Sequence, residues 1–163
     1  MARRLPILLG IIFLFSHSAK AQSGIDVFGG YSYERLDSSP SRNLNGVEIA
    51  GQFKFMPWIG VAGDFDAHFA SAPDTRTLHF MVGPQISLPA RISPFAHVLG
   101  GVGHIRFSSI TDTSVAAAIG GGIDMHVAPL ISWRIIQADD VITRFFGATQ
   151  HNARLSTGIV FHF

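Results

Sequence analysis

From Gly46 to Phe55 the chain alternates strictly between two kinds of surface. Val47, Ile49, Gly51, Phe53 and Phe55 share one face, while Glu48, Ala50, Gln52 and Lys54 share the other. A side-chain period of two is that of a β-strand with unlike faces. The pattern resumes after Met56-Pro57-Trp58. Ile59, Val61, Gly63, Phe65 and Ala67 now oppose Gly60, Ala62, Asp64, Asp66 and His68. Soluble sheets alternate as well, so length has to discriminate. Each run holds about ten residues, matching the roughly 9–11 that a tilted strand needs to cross a bilayer. Soluble strands are usually about half that length.

Continuing along the chain predicts eight strands: Ile25–Leu36, Gly46–Phe55, Ile59–Phe69, Thr77–Ser87, Pro94–Phe107, Ser114–His126, Leu130–Asp140 and Arg154–Phe163. Helical periodicity does not compete, because the 17 glycines are too frequent and scattered for helix interiors. The connections Asp37–Asn45, Ala70–Arg76, Ser108–Thr113 and Val141–Ala153 are polar. Those at Met56-Pro57-Trp58, Leu88–Ser93 and Val127-Ala128-Pro129 are mostly shorter, and each contains proline. Long and short connections alternate in bacterial membrane barrels. The expected fold is therefore all-β: an eight-stranded antiparallel up-and-down transmembrane β-barrel with both termini on the periplasmic side.

The first residues read differently. Arg3 and Arg4 precede a short apolar stretch, Leu5–Phe15, and Ala19-Lys20-Ala21 places small residues where a signal peptidase reads them. This predicts a secretory signal peptide over 1–21, cleaved between Ala21 and Gln22, with the barrel domain over 22–163. The apolar stretch is too short for a spanning helix of about 20 residues. Without the leader, nine basic residues stand against eleven acidic ones, which leaves no basic footprint for nucleic acid. Cysteine is absent, so disulfides cannot stabilise an exported form, and barrel closure is the expected substitute.

Aromatic residues gather near the expected strand ends. Phe55, Trp58, Trp133, Phe161 and Phe163 fall toward one end of the barrel, and Tyr31, Tyr33, Phe65 and Phe69 toward the other, as in two interfacial girdles. In the last strand Leu155, Thr157, Ile159, Phe161 and Phe163 are expected to face lipid. They alternate with Arg154, Ser156, Gly158, Val160 and His162. The Ile159, Phe161, Phe163 series resembles the C-terminal assembly signal read by the outer-membrane insertion machinery.

The segments Val27-Phe28-Gly29-Gly30-Tyr31-Ser32-Tyr33, Gly120-Gly121-Gly122-Ile123-Asp124 and Gln137-Ala138-Asp139, with Ile159-Val160-Phe161-His162-Phe163, resemble the OmpA-like/OmpX-like outer-membrane barrel family. Asp140 stands where that family's seventh strand usually carries an aromatic residue. The resemblance implies a monomer set in outer-membrane lipid and lipopolysaccharide, inserted by the outer-membrane machinery. It also implies a structural or surface-interaction role in envelope integrity or adhesion through four extracellular loops. No peptidoglycan-binding domain is expected. Alternatives are a lipid-modifying enzyme of the lipid A deacylase type or a narrow solute channel.

An eight-stranded barrel has an interior only wide enough for side chains. Glu48, Lys54, Asp64, Asp66, Asp124 and Arg154 are therefore expected to form a charge network plugging the lumen. Seven histidines remain after the leader, and Asp64, Asp66 and His68 share a face that His79 could join. Nothing in the spacing demands the convergence of three or four ligands, so neither a metal nor a cofactor is expected. A hydrolase would need a serine, a histidine and an acid within reach of one another. His151, Ser156 and Asp139 or Asp140 are the nearest candidates, with His151 expected in a loop and Ser156 in the lumen. That geometry is poor, and no catalytic residues are assigned. The clusters Gly100-Gly101, Gly103 and Gly120-Gly121-Gly122 are read as sites of close backbone approach, since no helix follows to make a phosphate cradle.

Overall fold

A computed structural model of the chain describes residues 24–71 and 74–163. The expected signal peptide and its cleavage residues Ala19, Ala21 and Gln22 lie outside the described residues. Eight strands follow one another: β1 (Gly24–Leu36), β2 (Arg42–Met56), β3 (Ile59–Ala70), β4 (Thr75–Ser87), β5 (Ile92–Phe107), β6 (Ile110–Ala128), β7 (Ile131–Thr143) and β8 (Gln150–His162). Each pairs with the next in antiparallel register, and β1 pairs antiparallel with β8 from Asp26↔His162 to Arg35↔Ala153. The sheet is a closed barrel. Closure leaves no open edge, so the strands' backbone polar groups are satisfied within the sheet. We call the end where β1 begins and β8 finishes the base, and the other end the top.

Burial is inverted relative to a water-soluble protein. Ile49 is 57% exposed and Phe53 55%, while Glu48 is 0% and Asp64 2% exposed. The alternation thus turns apolar side chains outward around the wall and charged ones inward. Such a surface is stable only against another apolar medium.

The strands reach further at the top than the polar composition of their ends suggests. Arg42–Asn45, expected in a connection, continue β2 and pair with Tyr33–Leu36. Ile110–Thr113 continue β6 opposite His104–Phe107, which reduces the third top connection to Ser108-Ser109. Val141–Thr143 pair with Gln150–Asn152. Polar side chains at these positions report solvent around a strand tip, not the absence of backbone pairing. As a result the top connections are shorter than expected and approach the base turns in length.

Strand β7 changes phase midway. Ser132 and Arg134 point inward, Ile135 and Ile136 are both exposed, and Gln137, Asp139, Val141 and Thr143 point inward again. The register against β8 slips by one residue between Arg134 and Gln137, which marks a β-bulge.

The interior is not uniformly polar as expected. Ala62, Met81, Leu99, Ala116, Ala118 and Val141 form an apolar cluster on one side of the lumen. At the top, Leu36, Leu44, Ile105 and Phe145 form a second cluster. Phe145 opens a short 3-10 turn, Phe145–Gly147, that tucks the last connection into the barrel mouth.

Candidate functional site in the barrel lumen

Arg154 sits at the centre. Inward alternation on β8 carries its side chain into the lumen, where it is fully buried. Its Nε and Nη2 donate to Asp139 Oδ2 at 3.0 and 2.7 Å. Nη1 and Nη2 donate to the two oxygens of Asp64 at 3.0 and 2.9 Å, and Nη1 also donates to Asp66. Glu48 Oε2 lies 3.9 Å from Nε and accepts the Ser156 hydroxyl. Gln137 Nε2 links Glu48 to Asp139 with bonds of 2.9 and 2.8 Å, and His97 Nε2 lies 2.9 Å from Asp139 Oδ1. A planar guanidinium with five donors is the side chain best suited to bridge several carboxylates at once.

Two glycines make room for these groups. A Cβ on Gly120 would lie 2.0 Å from Asp139 Oδ1, and one on Gly103 would lie 2.9 Å from the His79 ring. Gly101, Gly121 and Gly122 lie against neighbouring backbone as expected, whereas Gly100 has open space where a Cβ would stand.

Toward the base, Arg134 grips Asp124 through two parallel bonds of 2.8 and 3.0 Å and donates to Gln137 Oε1 at 2.6 Å. Its guanidinium lies 4.4 Å from the Phe28 ring centre and 4.2 Å from that of Phe95. This sandwich forms a floor beneath the Arg154 cluster. Below it, Lys54 Nζ and His162 Nδ1 hold Asp26 at 2.6 and 2.7 Å, and His126 stacks on His162. Here they line a recess of about 420 Å³. Of the six expected lumen charges, Glu48, Asp64, Asp66 and Arg154 come together, whereas Lys54 and Asp124 join separate pairs nearer the base.

Toward the top, Glu34 accepts the Thr77 hydroxyl at 2.6 Å, and His68 Nε2 lies 2.9 Å from Ser32 Oγ. His79 Nδ1 lies 2.7 Å from Asp66 Oδ1. The apolar cluster around Phe145 closes the mouth above them.

Sequence reasoning did not list Glu34, Asp139, Arg134, Gln137 or His97 in the network. Glu34 was within reach of it, since Phe28, Ser32 and Glu34 keep one inward phase in β1. Asp139 and Arg134 were not, because the bulge between them breaks the phase. The hydrolase candidates fall on different surfaces. His151 lies at the start of β8, not in a loop, and is exposed where it meets Asp140 Oδ2 at 2.8 Å. Ser156 faces the lumen, bonded to Ser32 and Glu48. In β8, Ile159 and Phe161 face outward and Phe163 is exposed beyond the strand. Phe163 exchanges backbone bonds of 3.2 and 2.8 Å with Ile25.

A closed eight-stranded up-and-down sheet with an apolar exterior and a charged interior is the fold of small outer-membrane β-barrels. Among solved structures, the chain is similar to neisserial surface protein A, with a TM-score of 0.68 at 13% identity over 89% of this chain and all of that one. It is also similar to Ail, the attachment invasion locus protein of Yersinia pestis, with a TM-score of 0.59 at 17% identity over 86% of this chain and 99% of that one. A third likeness is to the N-terminal β-barrel domain of Pseudomonas aeruginosa OprF, with a TM-score of 0.55 at 13% identity over 88% of this chain and all of that one. The fold accords with the OmpA-like/OmpX-like resemblance seen in the sequence. No protein-family model and no curated protein matches the chain.

Proposed function

We propose that the protein is an integral outer-membrane barrel, exported by a cleavable signal peptide, whose role is structural or adhesive and is exerted through its top connections. The observation that carries this reading is the filled lumen. Phe145 and its apolar neighbours, the Arg154 cluster and the Arg134 sandwich lie one beneath another across the bore. A stack of this kind argues against a solute channel. The separation of Ser156 from His151 argues against a serine hydrolase built on them.

At the top of the barrel, what remains available to a partner is the outward wall and the rim. On the outward face the guanidinium of Arg76 lies 5.6 Å from the Phe69 ring centre, whereas Arg42, 4.1 Å from the Phe107 ring centre, turns inward over the mouth and donates to Thr75 Oγ1. A cation seated on an aromatic ring at the top of the wall suits the phosphate level of lipopolysaccharide. One similar structure is Ail in complex with the heparin analogue sucrose octasulfate, an anionic sugar. An adhesive role for this chain's rim accords with that likeness. The barrel acts as a monomer, placed in lipid by the outer-membrane insertion machinery through Ile159, Phe161 and Phe163.

The test combines location with permeability. Cells expressing the full chain are fractionated, and the purified barrel is placed in a planar bilayer. Recovery in the outer membrane, no stepwise conductance and an unchanged lipid A mass spectrum are expected. Stable unit conductance would replace this reading with a channel, and a new lipid A mass with an enzyme.

A further inference from the structure

We propose that Glu34, His68 and His79 bind one divalent transition-metal ion of the zinc class inside the barrel, beneath the apolar plug. The three residues come from β1, β3 and β4, all are fully buried, and one ligand atom from each lies within 4.8 Å of the others. Proximity alone would say little. The second observation is that Glu34 Oε1, His68 Nδ1 and His79 Nε2 are buried and make no hydrogen bond among the described residues. Polar atoms converging in a closed interior are costly unless something satisfies them together. His68 Nδ1 has the nearest neighbours, 3.1 Å from Asp66 Oδ1 and 3.5 Å from Glu34 Oε2, without a well-aligned hydrogen bond to either.

The remaining atoms of the same side chains are held from behind. Thr77 Oγ1 donates to Glu34 Oε2 at 2.6 Å, Asp66 Oδ1 lies 2.7 Å from His79 Nδ1, and Ser32 Oγ lies 2.9 Å from His68 Nε2. A carboxylate on the far nitrogen of a histidine fixes the tautomer that turns its other lone pair toward a metal. With Nε2–H donated to Ser32, His68 presents Nδ1 in the same way. Two imidazoles and one carboxylate suit zinc, whereas calcium and magnesium prefer all-oxygen sets.

Charge favours the same conclusion. Glu48, Asp64, Asp66 and Asp139 share one guanidinium, Arg154, and the fifth buried carboxyl, Glu34, faces only Thr77, His68 and His79 among the described residues. A dication would offset part of that excess. Protons on His68 and His79 are the competing answer: His68 Nδ1 lies 3.1 Å from Asp66 Oδ1 and His79 Nε2 lies 3.9 Å from Glu34 Oε1. The two answers differ in metal content.

With the plug above and the Arg154 cluster below, the ion would enter as the barrel closes, so it must be supplied during folding. The full chain, without a polyhistidine tag, is exported and extracted from outer membranes in detergent free of chelator. A second portion is unfolded, stripped with a chelator and refolded with zinc(II) or cobalt(II), and free metal is then removed. The expected result is about one ion per heat-modifiable barrel, with visible cobalt bands characteristic of nitrogen and oxygen ligands. Thr77→Val, which should still fold, is expected to lower zinc affinity about tenfold. Glu34→Gln with His79→Gln should abolish binding, and His151→Gln on the exterior should leave it intact. Wild-type barrel that folds with zinc present yet retains no more than barrel folded without it would overturn the proposal. So would a zinc content that falls with His151→Gln and not with Thr77→Val.

Discussion

Replacing Arg154 with methionine would keep an unbranched stem and remove the guanidinium, leaving Asp64, Asp66 and Asp139 opposed without a cation. Removing one partner of a buried ion pair costs about 3–5 kcal/mol, because the orphaned charge stays desolvated. Arg154→Met should therefore lower the urea midpoint of the folded, fast-migrating band by that equivalent. Arg154→Lys should recover only part of it, since an ammonium cannot make paired bonds to Asp64 while also reaching Asp139. An unchanged midpoint in Arg154→Met would mean that the carboxyls are neutralised by protons instead.

The bulge in β7 and the turn at Phe145 give two further tests. Deleting Ile135 removes the extra residue and leaves Arg134 and Gln137 both inward, so the barrel should still form. Deleting Ala138 instead turns Asp139 toward the lipid face, and no heat-modifiable species is expected. Phe145→Ala empties the centre of the top plug. A cost of about 3–5 kcal/mol is expected, read as a lower unfolding midpoint together with faster amide exchange across 144–149.

The same two features show where the sequence could be read and where it could not. β2, β3 and β8 were legible because strict alternation survives along them and one face carries charge. β5 was not, since Val98 and Val102 on its outer face are matched by Leu99 and Ile105 on its inner face, and both read as apolar. β7 was opaque for a different reason. A single inserted residue reverses the phase, and only the adjacent pair Ile135-Ile136 hints at it. The convergence of Glu34 with His68 and His79 depends on lumen curvature bringing β1 opposite β3 and β4, which no spacing along the chain encodes.

Taken together, these parts describe a cylinder that holds its shape without cysteine. Its walls are sealed by sheet closure, and its bore is filled by ion pairs between two apolar or aromatic stoppers. Such a body should expose little unpaired backbone to detergent and resist unfolding at room temperature. Unboiled samples are expected to run apart from boiled ones on a denaturing gel, and a single band at all temperatures would contradict a closed barrel.

The carboxylates that Arg154 joins arrive on β2, β3 and β7, but the guanidinium itself arrives on β8. Until that strand docks against β1, the carboxyls gathered from three strands repel one another in a medium that screens them poorly. An arc of seven strands therefore lacks the cation these carboxyls share, and the eighth supplies it. Neutralisation thus coincides with closure, so a barrel that has not received its last strand has an internal reason to stay unfinished.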